Sequence, residues 1–298
     1  MNQNKRPRLS IWGGILGMVA VLWTMYKLQA EINLFVFQLA LPYFLNNIRI
    51  NTIMELFYQC VDYLTSPQLL GWVSLIYSIV GATIFFFWYR ALRKDDGLKL
   101  KKLNTLTNRP GEMIAGLLLT CVALGFVAQA IISVITIILP KWMMEYEELL
   151  EQAGFTAVTL VLLLYACIFG PIIEELGIRG VGFTYARRAF GPVAALIMQA
   201  LLFGIMHMNK VQFVYTFFVG LAFGYMVMKF ESLWISIFAH ILYNFVATFG
   251  AALVMVPVSS PIVFYLTVFG SLAVLYAGIL LLKKSAPLVK EVGTGSDN

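Results

Sequence analysis

The sequence predicts an all-α polytopic membrane protein of about eight transmembrane helices, and three observations carry that prediction. Of the 298 residues, 60% are hydrophobic and only 12% are charged, about half the ~25% charge content of soluble domains. So few charges cannot cover the surface of a water-soluble protein of this length, and the same numbers exclude a disordered chain or a disulfide scaffold. Uncharged runs of about 20 residues, the length a helix needs to cross the hydrocarbon core, recur along the chain. The charges fall in short clusters between those runs, so the net charge of +6 reads as a topology signal and not as a nucleic-acid face.

Taken in order, the first run is Leu9–Tyr26. Its basic start resembles a signal peptide, but no small-x-small cleavage site follows, so an uncleaved signal anchor is expected. Ile32–Ile48 is uncharged yet short, and it contains Pro42, Asn46 and Asn47. It is expected as an interfacial or re-entrant helix on the outer side. Leu69–Tyr89, Met113–Pro140, Gln152–Ile173, Ala189–Asn209 and Val211–Met228 are the next spans. The stretch Ser232–Leu282 is too long for one helix, and the segment Val256–Pro261 divides it, because proline cannot continue a helix interior. Runs this continuous indicate helices and not barrel strands.

Charge bias orients these spans. Lys5, Arg6 and Arg8, the basic loop at 90–112, Arg187 with Arg188, and Lys283 with Lys284 belong on the cytoplasmic side. Glu145, Glu147, Glu148 and Glu151 belong outside. Both termini are then cytoplasmic, in what the short tails suggest is a bacterial cell membrane. Three cysteines, Cys60, Cys121 and Cys167, form no framework or paired motif, so neither a redox nor a metal role follows from them. The chain divides into N-terminal helices (1–150), a core (151–250), and a last helix with a polar cytoplasmic tail (251–298).

Charged groups in mid-membrane cost about 2.5–3.5 kcal/mol each on insertion scales, so intramembrane ionisable residues are functional candidates. Glu174-Glu175-x-x-x-Arg179 follows Phe169-Gly170-Pro171, where a kink is expected. On a helix Glu175 and Arg179 are one turn apart and pair, while Glu174 points about 100° away and stays available for chemistry. The only two histidines both lie in apolar runs, in Phe203-x-x-x-His207 and His240-x-x-x-Asn244. A lone membrane histidine is more often a helix–helix hydrogen bond than a catalyst; two histidines, an asparagine and a glutamate pair together point to a site. Counting along straight helices puts Glu174 and His207 level, about 24 Å from their shared turn, but His240 only about 14 Å from its own. Tilt, the Pro171 kink or a different end to the fourth span must supply the difference.

In this order, Glu-Glu-x-x-x-Arg, Phe-x-x-x-His and His-x-x-x-Asn resemble the three motifs of the CPBP (Abi) family of intramembrane proteases, which includes the Rce-type CAAX prenyl proteases and bacteriocin-immunity proteins. The resemblance covers about 100 residues, Gly154 to Phe249. It implies an intramembrane endopeptidase with a polar site among the fourth, fifth and seventh spans, acting on a membrane-associated peptide or protein. Glu174 would be the catalytic glutamate, His207 its partner in activating water, and His240 with Asn244 the oxyanion donors. Glu175, Arg179 and Phe203 would support them. A glutamic, cofactor-free mechanism is favoured; if zinc is used, Glu174, His207 and His240 are the ligands. A non-proteolytic membrane immunity or scaffold protein of the same family is the alternative. A proton-coupled transporter is a weaker third, since no inverted repeat is visible.

Overall fold

A computed structural model describes residues 8–47, 52–93, 106–155, 157–250 and 260–286. Among these residues every regular element is a helix: α1 (Ile11–Asn47), α2 (Ile53–Leu64), α3 (Pro67–Arg93), α4 (Pro110–Ile138), α5 (Pro140–Gln152), α6 (Leu160–Ala189), α7 (Pro192–Met206), α8 (Lys210–Phe230), α9 (Leu233–Phe249) and α10 (Pro261–Ser285). Six are long and apolar enough to cross a membrane, and α7 and α9 are shorter apolar helices. The chain is a multi-pass integral membrane protein. The basic-loop residues 94–105, the helix-breaking segment 251–259 and the terminal segments 1–7 and 287–298 lie outside the described residues.

The helices run alternately between two faces. At one face the backbone N–H of Leu9 donates to Arg188 at 3.1 Å, and the Arg188 guanidinium donates to the carbonyl of Leu92 at 2.9 Å. Lys284 pairs with Glu112 at 2.8 Å on the same face. Arg90, Arg93, Arg109 and Arg187 also sit at helix ends there, so this is the basic face. The opposite, acidic face carries α2 and α5, neither of which has a buried residue. Gly154, at φ +81°, turns the chain from α5 towards α6, and a Cβ there would meet Pro67 Cα at 3.1 Å. That turn combines the left-handed backbone and the close approach that glycine tolerates best.

Two expectations need correction. Ile32–Ile48 is not a separate re-entrant helix: through Asn47 it continues α1 without a break, Pro42 included. At 1.5 Å per residue the 37-residue helix is about 55 Å long, well beyond a core of about 30 Å, so its second half extends past the hydrocarbon. The fourth span does not end at Ile173 but runs to Ala189, which places Glu174, Glu175 and Arg179 in mid-helix. The depth mismatch is resolved at the basic face. Phe230, Ser232 and Leu233 around the α8–α9 turn are fully buried, so that turn lies inside the bundle. Gly180 of α6 is level with Leu233, whose Cδ1 its Cβ would meet at 3.3 Å, and the α6–α7 hairpin projects further. His240 is near its own turn because that turn is deep.

Candidate active site

The site is built on two departures from α geometry in α6. Tyr165–Phe169 and Glu175–Gly182 are π-helical, and Glu174 stands between them. Widened turns of this kind are rare and concentrate at functional sites. The first follows from Pro171. Its ring would clash with the carbonyl four residues back, and it brings no N–H. Gly170 N–H reaches back five residues to Tyr165, so the Ala166 carbonyl has no N–H from the next turn. The Asn244 amide of α9 donates to it at 2.7 Å, and that bond fixes α9 against α6 beside the site.

Glu174 and Glu175 have opposite environments. Glu175 is fully buried; its Oε1 accepts from Arg179 Nη1 and from His240 Nδ1, both at 2.8 Å. Arg179, also fully buried, lays its guanidinium 4.1 Å from the Phe203 ring centroid and 5.6 Å from that of Phe223. An ion pair sealed this deeply is held by its partners, because removing either one strands a charge in low dielectric. Glu174 keeps 19% of its side chain accessible and faces a cavity of about 410 Å³. Its Oε2 is 3.6 Å from His240 Nε2.

Both imidazoles are oriented through Nδ1. The Phe203 carbonyl lies 2.9 Å from His207 Nδ1 and can only accept, so Nδ1 carries the hydrogen and Nε2 its lone pair. That bond is one of five contacts that close the C-terminus of α7, where the last carbonyls lack intrahelical partners. Gly204 O accepts from His207 N–H, and Ile205 O from Met208 N–H. Tyr26 of α1 donates towards Ile205 O and Met206 O at 3.1 and 2.9 Å. Met208 then turns the chain at φ 53°, and the Asn209 side chain caps the first amides of α8. His207 is therefore held at the end of a short helix.

All seven residues singled out in the sequence meet here. Phe203 lies edge-on to both His207 and His240, at 5.1 and 5.5 Å between centroids. The sequence reading missed Phe223, 5.3 Å from His240, and Tyr26 at the end of α7. It also missed the polar side chains that line the cavity, among them Gln129, Tyr165, Gln212 and Tyr215. A glutamine isolated in an apolar run, such as Gln129, was the available signal. Among the described residues no group of three or more His, Cys, Asp or Glu side chains is gathered as a metal site.

An all-helical membrane bundle with a carboxylate and two oriented imidazoles on an internal cavity defines a protein equipped for proton transfer at a membrane-embedded site. Residues 156–246, the segment that carries the three motifs, match a family model described as type II CAAX prenyl endopeptidase Rce1-like. No curated protein and no solved structure matches the chain.

Proposed function

We propose that this protein is an intramembrane endopeptidase that hydrolyses a peptide bond of a membrane-associated peptide or protein with a water activated by Glu174 and His207. The observation that carries the reading is the contrast within the glutamate pair: Glu175 is sealed against Arg179 and His240, and Glu174 alone faces the cavity. Amide hydrolysis needs a base for the water and donors for the developing oxyanion. Glu174 takes the water proton, the hydroxide adds to the scissile carbonyl carbon, and Glu174 returns the proton to the departing amine. Glu174 Oε2 lies 3.6 Å from His240 Nε2, beyond a direct hydrogen bond, and both side chains face the cavity. His240, through an Nε2–H, is one donor to the oxyanion. The second N–H of Asn244, not used by Ala166, is the other donor.

The proposed reaction uses no metal. The zinc alternative, with Glu174, His207 and His240 as ligands, would need those side chains drawn together, because among the described residues they are not gathered as a metal site. Chelation separates the two: activity surviving exhaustive chelation supports the glutamic mechanism, and loss restored by added zinc overturns it. Comparative peptidomics of membranes carrying wild-type or Glu174→Ala protein tests the peptidase itself. Peptide termini present only with the wild type are expected; identical termini in both would favour the scaffold reading, in which the polar contacts serve only to join helices.

A further inference from the structure

The geometry points to a site entered from the acidic, extracytoplasmic face, and so to a substrate whose scissile segment is displayed at the outer leaflet. This rests on the peptidase reading and names the kind of substrate the site takes. The direction of the cavity follows from the register of the helices. Cys121 Sγ donates to the Ala239 carbonyl at 3.3 Å, which sets α4 level with α9 just below His240. Every residue of α4 that lines the cavity lies on the acidic-face side of Cys121, from Gly125 to Ile132. On α9 the lining runs from His240 to Thr248, again away from the basic face. On α6 it runs from Glu174 back to Tyr165, and on α8 from Val219 to Gln212. Glu174 and His240 are therefore the floor of the cavity, and Tyr146 of α5 and Phe155 just after it lie at the other end, its mouth.

Below that floor the bundle is closed. Ile178, Val181, Phe183, Val227, Phe230 and Ile235 are all fully buried between the site and the basic face. A peptide from the basic side meets packed side chains, and packing at interior density leaves no path for a backbone. The upper cavity is amide-rich and phenolic, with Gln129, Gln212, Tyr165 and Tyr215, and such groups hydrogen-bond an extended peptide backbone. The charge asymmetry assigns the faces: the basic face carries Arg90, Arg93, Arg187, Arg188, Lys283 and Lys284, and the mouth lies beside Glu145, Glu147, Glu148 and Glu151. By the positive-inside rule the mouth is extracytoplasmic.

Cysteine labelling of the full-length protein in intact cells tests this, in a Cys60→Ser background. The probe is a membrane-impermeant methanethiosulfonate. Gln129→Cys and Ala247→Cys, both in the cavity, should react in intact cells, each scored against its own labelling after denaturation; Lys283→Cys should react only after permeabilisation. Cavity cysteines that react only after permeabilisation, or from neither side, overturn the proposal. The peptidomic comparison gives an independent reading. Termini lost in Glu174→Ala should map to outer-leaflet segments; termini mapping to cytoplasmic tails overturn the direction of access, and no lost termini at all would instead count against the peptidase.

Discussion

The amide of Asn244 donates to the carbonyl of Ala166 at 2.7 Å, across two helices, because Pro171 has no N–H to give that carbonyl. One imino acid thus creates both the widened turn before Glu174 and the acceptor that holds α9 beside it. Asn244→Ala should lower stability by about 1–3 kcal/mol, the range for stranding a buried polar group. Pro171→Ala restores an N–H to that turn. In its background the loss on Asn244→Ala should shrink by about 0.5 kcal/mol or more, read as coupling in a double-mutant cycle. Thermal unfolding of the purified protein in detergent measures all four variants, and strict additivity would refute the link.

Glu175 answers to both Arg179 and His240. Glu175→Gln should lower stability by about 3–5 kcal/mol, because it leaves the Arg179 charge buried without compensation. Pairing it with Arg179→Met removes that charge and should recover much of the loss. Activity should stay low in the double variant, because His240 Nδ1 has then lost the carboxylate that orients its ring. Stability and turnover measured on the same preparations separate the two roles; recovery of both together would reduce Glu175 to a structural residue.

Tyr26 joins α1 to the end of α7 through its hydroxyl, which donates towards the carbonyls of Ile205 and Met206. Tyr26→Phe keeps the ring and removes the hydroxyl, so the expected loss is about 0.5–1.5 kcal/mol. Its effect on catalysis should exceed what that loss alone explains, because His207 follows the two carbonyls that Tyr26 holds. A lower kcat at temperatures where the variant remains fully folded would support this; wild-type kinetics would place Tyr26 in helix packing alone.

How much of this was legible in the sequence depended on whether the cause was local. Uncharged runs gave the apolar helices because hydropathy acts residue by residue, and the clusters Arg187-Arg188 and Lys283-Lys284 marked one face for the same reason. The motif residues were visible because ionisable groups are scarce in such a chain. The end of the fourth helix was not: Glu174, Glu175 and Arg179 looked like a terminus, and it is the pairing of Glu175 with Arg179 and with His240 from α9, and the cavity beside Glu174, that hold them in mid-helix. The continuity of α1 through Pro42 and the sinking of the α8–α9 turn into the bundle are likewise set by neighbouring helices, as are the contacts of Phe223 and Tyr26.

Close packing of α4 on α10 gives a prediction in which two glycines of one helix behave oppositely. At Gly278 a Cβ would lie 2.5 Å from Thr120 Oγ1 and 2.9 Å from Thr120 N, and Gly116 faces it across the contact. Small residues let helix backbones approach this closely in a membrane, where no hydrophobic drive joins them. The Thr120 backbone cannot yield without moving α4, so Gly278→Ala should cost about 1–3 kcal/mol, as overpacking does. At Gly270 a Cβ would meet nothing within 4 Å. There Gly270→Ala gains helix propensity and should raise stability by about 0.5–1 kcal/mol. Unfolding temperatures of the two variants in one detergent should therefore move in opposite directions, and a shift of the same sign in both would show that α10 does not pack on α4 through Gly278.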